Sequence, residues 1–254
     1  MFPSIFREVF RDFIYPFFKE KEEIFPEKGL KEKLKILIKC SAHFGRVAFE
    51  YLKFSGKSPE FLEKNVKIEG IENLREAVLA GKGVFIISAH FGNWEVAALG
   101  LSKMGFPQGM VHRPLDNPYL EKHLSLRRTR YGNWLIPKKG ALKGILKNLR
   151  EGKIVDILID QKSSPEQSFK VKFLGQETYV ISSPAKIVKI TGAAVVLLFS
   201  YPVGKGYRIS IKKPIFYNGE GEKELTQKYA DILTEEILKN PHLWLLHHNR
   251  FDKV

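Results

Sequence analysis

A histidine and a glutamate five residues apart, His90 and Glu95, stand in the run Ser88-Ala89-His90-Phe91-Gly92-Asn93-Trp94-Glu95. An imidazole, with an unperturbed pKa of ~6.5, takes and returns a proton near neutral pH. A carboxylate on its second nitrogen fixes the tautomer and stabilises the cation that forms. Residues at this separation do not stack on one continuous helix. With His90 in a turn and Glu95 in the first turn of a helix, however, the carboxylate can reach back to one ring nitrogen. The pattern therefore predicts a His90–Glu95 proton-transfer pair. It also fits a blander arrangement, a capping-box-like Glu95 beside a satisfied turn histidine. The chain carries its own caution, because Ser41-Ala42-His43-Phe44-Gly45 repeats residues 88–92 letter for letter. There Ala48 stands where the carboxylate would be and the stretch reads as mid-helix, so His43 is read as structural.

Such a pair needs a rigid platform. Residues 83–88 form an apolar strand that ends abruptly in small and polar residues, and Asn93 is a plausible cap for the helix containing Glu95. In α/β sheets ligands bind beyond the carboxyl ends of the strands, where this reading puts His90. Further strands are expected over 66–69, 110–112, 134–136, 154–159 and 194–200, with 207–212 alternating like an edge strand. Helices are expected over 71–80, 95–103, 118–131, 141–150, 184–191 and 223–239. This alternation predicts an α/β fold: a central mixed, largely parallel sheet covered by helices, with an N-terminal helical extension. The extension, residues 1–60, contains a helix over 30–54 closed by Gly56 and Pro59; residues 61–254 form the α/β domain. Phe2, Ile5, Phe6, Val9, Phe10, Phe13, Ile14, Phe17 and Phe18 recur at helical spacing, interrupted by Pro16. Such a stripe either lies in a lipid interface or docks on the protein's own core.

The net charge of +14 favours polyanions: nucleic acid, anionic headgroups, or phosphorylated and acidic substrates. Lys and Glu enrichment is also a stability style in heat-adapted proteins. Arg127, Arg128 and Arg130, with Lys138 and Lys139, are the candidate anion-binding cluster. No RNP-like, helix-turn-helix or zinc-finger pattern is present, so nucleic acid is not an expected partner. The single cysteine, Cys40, excludes an internal disulfide and makes a reducing compartment the default. No run of about 18 apolar residues predicts a membrane-spanning helix, and charges at Arg7, Glu8, Arg11 and Asp12 argue against a signal peptide. His242, His247 and His248 do not match a zinc spacing, and no metal is expected.

His90 through Glu95 resembles the His-x4-Asp/Glu motif of glycerolipid acyltransferases, specifically the bacterial lipid A biosynthesis acyltransferase family. The likeness runs on in order: Arg113-Pro114-Leu115-Asp116-Asn117-Pro118, Gly140, Leu149-Arg150, Gly152, Asp160-Gln161, Phe173-Leu174-Gly175, Pro184-Ala185, Thr191-Gly192-Ala193, and Trp244 to Phe251 with His247 and Arg250. It covers roughly residues 67–251, and an ordered series is more specific than any one motif. Val180 and Ser183 depart from the family's usual Thr and Gly, and the Phe-rich stretch stands where the family often has a membrane-spanning helix.

The resemblance implies an acyltransferase in which His90 deprotonates an acceptor hydroxyl that attacks an acyl thioester directly. Glu95 would orient the imidazole; Arg113 would polarise the thioester carbonyl or bind a phosphate, or else form a helix-anchoring ion pair; and Asp160 would support Arg113 or His90, or else cap the following loop. Asn93, Asn117, Arg127, Arg128, Arg130 and Gln161 are the implied substrate-binding residues. The expected partners are an acyl carrier protein or coenzyme A thioester, an anionic lipid A precursor-like glycolipid, and a membrane surface met through the Phe-rich helix. No cofactor is implied, the thioester being a co-substrate. The expected location is peripheral, on the cytoplasmic face of the inner membrane. Another glycolipid acceptor, such as a phosphatidylinositol mannoside, fits the same residues, as does a non-catalytic basic protein coating membrane or nucleic acid.

Overall fold

A computed structural model of the chain describes residues 24–246, 250 and 251. The Phe-rich stripe, His247 and His248 lie outside the described residues. In chain order the elements are α1 (Leu30–Ser55), α2 (Pro59–Asn65), β1 (Val66–Glu69), α3 (Ile71–Leu79), β2 (Val84–Ser88), α4 (Trp94–Lys103), β3 (Gln108–His112), α5 (Pro118–Arg128), β4 (Trp134–Pro137), α6 (Ala141–Arg150), β5 (Ile154–Leu158), β6 (Ser168–Phe173), β7 (Gln176–Ile181), α7 (Ser183–Thr191), β8 (Ala194–Val203), β9 (Gly206–Ile211) and α8 (Glu222–Lys239).

Among the described residues, seven strands form one sheet in the order β1-β9-β8-β2-β5-β3-β4. All neighbours run parallel except β8 and β9, so the sheet is mixed and largely parallel, as the alternation predicts. β2 lies at its middle with all five residues buried, which its unbroken Val-Phe-Ile-Ile run requires of a strand covered on both faces. Phe85 and Ile87 point into one core layer with Ile145 and Leu149 of α6, Ile187 of α7 and Leu233 of α8. Val84 and Ile86 point into the other, with Leu62 of α2, Leu74 of α3 and Val96 and Leu99 of α4. Leu37 and Cys40 of α1 join the first layer, so the described part of residues 1–60 packs directly on the sheet's core.

The structure differs from the sequence reading in three places. Residues 207–212 do not make an edge strand, because the short β1 pairs outside β9 and leaves it interior. Pro59 does not simply close the first helix. It is the first residue of α2, whose cap Ser58 accepts from the Phe61 N–H; proline suits that position because its missing N–H would have no helical partner there. Residues 168–181, not anticipated as strands, form the β6–β7 hairpin. Its turn is Leu174-Gly175, both at positive φ, and leucine conceals a turn that Asn-Gly would have announced.

Candidate active site

The sheet's register assembles the site. Ser88 of β2 pairs with Leu158 of β5, and two residues beyond each lie His90 and Asp160. Neighbouring strands lie about 4.8 Å apart, so two side chains leaving adjacent carboxyl ends meet without further help. His90 Nδ1 lies 2.8 Å from Asp160 Oδ1, and the His90 backbone N–H donates to Asp160 Oδ2 at 3.0 Å. The Trp244 indole donates to that same Oδ2 at 2.8 Å. Asp160 is 2% exposed. Burial alone would raise its carboxyl, but the adjacent imidazole and the three hydrogen bonds outweigh burial and hold it below the usual carboxylate range. An ionised Asp160 accepts the Nδ1–H and leaves Nε2 as the basic nitrogen. The Gln161 amide nitrogen stands 3.5 Å from Nε2, and the Trp94 ring meets the imidazole edge-on at 4.9 Å.

Glu95 is placed differently from expectation. It is the second residue of α4, buried, and both its oxygens accept from the Arg128 guanidinium at the end of α5, with Nε at 3.0 and 3.2 Å and Nη2 closer still. The carboxylate on the imidazole is thus Asp160, from the next strand end, while both Glu95 oxygens are taken by Arg128. Glu95 instead ties α4 to α5 beside the histidine. Arg128, expected among the substrate-binding cations, is the partner of Glu95 and also lines the same cavity as His90.

The turn after β2 rests on contacts from elsewhere in the chain. Gly92 has φ +61°, and a Cβ there would run into the Ser200 carbonyl oxygen. Its N–H donates to Leu243 O at 2.8 Å, and the Leu245 N–H donates to His90 O at 2.9 Å. From α1, His43 Nε2 reaches Gly92 O at 3.2 Å. Burial lowers the pKa of that histidine, favouring the neutral ring as donor. The Cys40 thiol donates to Trp244 O at 3.3 Å. Asn93 is fully buried and serves as the cap of α4, accepting from the Val96 N–H at 3.1 Å and donating to Tyr207 Oη at 3.4 Å. That occupies the side chain which the resemblance assigned to substrate.

His90, Trp94, Glu95, Arg128 and Gln161 line one open cavity of about 1140 Å³. Val111, Leu142, Ile145, Ile157, Ile159, Ile181 and Ile187 supply an apolar wall, while Arg113, Lys138 and Lys162 supply cations. Arg113 is largely exposed and pairs with Asp116 at 3.2 Å, so Asp160 supports His90 and not Arg113. Asn117 caps α5, accepting from the Tyr119 and Leu120 N–H groups. Arg127 and Arg130 do not line this cavity, and Arg130 lies over the Tyr131 ring at 5.5 Å. In the sequence Trp244 belongs to a terminal motif, and no spacing signal marks its indole as a partner of Asp160. Asp156 and His112 also stand beside Glu95; in the sequence the only sign of them is a carboxylate inside the apolar run Ile154-Val155-Asp156-Ile157-Leu158.

Residues 22–253 match the family described as bacterial lipid A biosynthesis acyltransferase. A lipid A biosynthesis acyltransferase of Haemophilus influenzae is 25% identical over 177 residues, covering 69% of this chain and 55% of that protein. A lipid A biosynthesis lauroyltransferase of Escherichia coli is 24% identical over 236 residues, covering 91% and 76%. A phosphatidylinositol mannoside acyltransferase of Mycobacterium tuberculosis is 24% identical over 181 residues, covering 70% and 57%. The class is therefore that of an O-acyltransferase on an α/β sheet. Within that class, the chain belongs to the bacterial lipid A biosynthesis acyltransferase family.

Proposed function

We propose that the protein transfers a fatty acyl group from an acyl carrier protein or coenzyme A thioester to a hydroxyl of an anionic, lipid A precursor-like glycolipid. The observation that carries this is the His90–Asp160 pair at adjacent strand ends, opening on a large cavity with an apolar wall and cations. His90 Nε2 takes the proton of the acceptor hydroxyl as its oxygen bonds to the thioester carbonyl carbon. The tetrahedral intermediate collapses, the C–S bond breaks, and the thiolate recovers the proton from the imidazolium. Asp160 stabilises that imidazolium, and the thioester is a co-substrate, so no cofactor enters the cycle. Arg113 and Lys138 on the cavity wall suit a phosphate of either substrate, and the apolar wall suits the acyl chain. Gln161 orients the acceptor near Nε2. The relative named for phosphatidylinositol mannosides keeps a second glycolipid class in view as acceptor.

A peripheral position at the cytoplasmic face of the inner membrane follows from this reading. No helix of the described residues is long and apolar enough to cross a membrane. α1 exposes Leu30, Leu34, Ile38 and Phe49, with Lys31, Lys35, Lys39 and Lys53 also exposed along the helix. Exposed apolar groups among lysines suit an anionic lipid surface.

The test is incubation with carrier-protein and coenzyme A thioesters plus a glycolipid panel, reading added acyl mass. Removing a general base costs about 10²- to 10⁴-fold, and a substituted orienting carboxylate costs on the order of 10⁴-fold. His90→Ala and Asp160→Asn should therefore remove turnover while the protein stays folded. Wild-type rates in both variants would overturn the proposal.

A further inference from the structure

One carboxylate beside the site has no part in the chemistry above. Asp156 sits within β5, and its register partners, Ile86 on β2 and Met110 on β3, are apolar. Its Oδ1 is buried and has no hydrogen-bond partner among the described residues. The side chain faces a small annex of about 40 Å³ that shares Trp94, Glu95, His112 and Arg128 with the main cavity.

The titratable groups facing it come from three elements. Glu95 comes from α4 and Arg128 from α5. His112 comes from β3; its Nδ1 is also buried without a hydrogen-bond partner among the described residues and lies 3.7 Å from Glu121 Oε1 on α5. Two carboxylates therefore stand near one guanidinium, and only Glu95 holds it in a two-oxygen grip.

We infer that Asp156 is a positioning residue: as the neutral acid it leaves the Glu95–Arg128 pair intact beside His90. As an anion it repels Glu95 and competes for Arg128, loosening the tie between α4 and α5 at the helix start that carries Trp94. Burial in the first place, and the Glu95 charge in the second, push the Asp156 carboxyl up to about 7 against the Ile157 backbone N–H and, after it, the pull of Arg128. Ionisation thus falls within the pH range where an imidazole base works. The inference rests on the proposed acyl transfer for its rate readout alone.

The experiment pairs a direct titration with a rate profile on the full chain. With carboxyl-¹³C aspartate, the Asp156 resonance, assigned through Asp156→Asn, is followed by NMR as pH rises from acid through neutral to mildly alkaline. It should titrate near 7, with the Arg128 Nε–H resonance moving in the same step. In the acyl-transfer assay the wild type should lose about three-fold or more in kcat as pH rises through this step. Asp156→Asn, the isostere of the neutral acid, should keep the rate at pH 6 and lack the alkaline limb. An Asp156 resonance already that of a carboxylate at pH 5, or a limb unchanged in Asp156→Asn, overturns the inference. The NMR arm needs no turnover and no folded variant beyond assignment, so it still decides if acyl transfer itself fails.

Discussion

Asp160 shows what a single buried carboxylate can do when its donors are chosen for it. It receives the imidazole N–H, a backbone N–H and an indole N–H at once, and each prefers the ionised form. A carboxyl held below its ordinary range in the folded state adds stability that is complete above that range. The contribution is lost as pH falls through the folded value. Thermal melts of the wild type should therefore drop through the acid range more steeply than those of Asp160→Asn, which has nothing there to titrate. Equal slopes would mean that the carboxylate is not under this load. Asp156 carries the opposite sign: its raised value weakens folding as pH climbs from the ordinary carboxylate range toward neutrality. Two aspartates four residues apart on one strand and its end thus respond to pH in opposite ways.

At the scale of elements, the site is a turn clamped from three sides. Its tightest point is Gly92, where positive φ and the Ser200 carbonyl both exclude a side chain. Placing alanine in the left-handed region costs about 1–2 kcal/mol, and overpacking adds about 1–3 more. Gly92→Ala should lower stability by about 3 kcal/mol and move His90 off Asp160. Denaturant unfolding, together with the histidine ring resonances, checks both effects. The strand–helix alternation and the platform for His90 were legible because their periods are local. The choice between Glu95 and Asp160 was not, because it depends on which strand lies beside β2, and β5 follows some 70 residues later. Trp244 was hidden for the same reason, and the Leu174-Gly175 turn because its residue types are unusual for positive φ. Asp160 was visible as a strand-end acid with two possible partners, and strand order selects His90.

At the scale of the whole molecule, the surplus of positive charge and the exposed leucines of α1 belong to one prediction about surfaces. Binding to anionic liposomes should weaken with rising salt, since exposed charges are screened over about 8 Å at physiological ionic strength. It should also weaken when Leu34 and Ile38 become Ser. Sedimentation with vesicles measures both, and binding indifferent to salt and to the two serines would remove α1 from the membrane contact. The bond from Trp244 to Asp160 has a temporal consequence as well. Strands β2 and β5 can pair as soon as both have been made, yet the indole that braces the carboxylate comes some 84 residues after Asp160. A nascent chain can therefore pair β2 with β5 while Asp160 is still unbraced. The brace on the carboxylate is added only once Trp244 has been made.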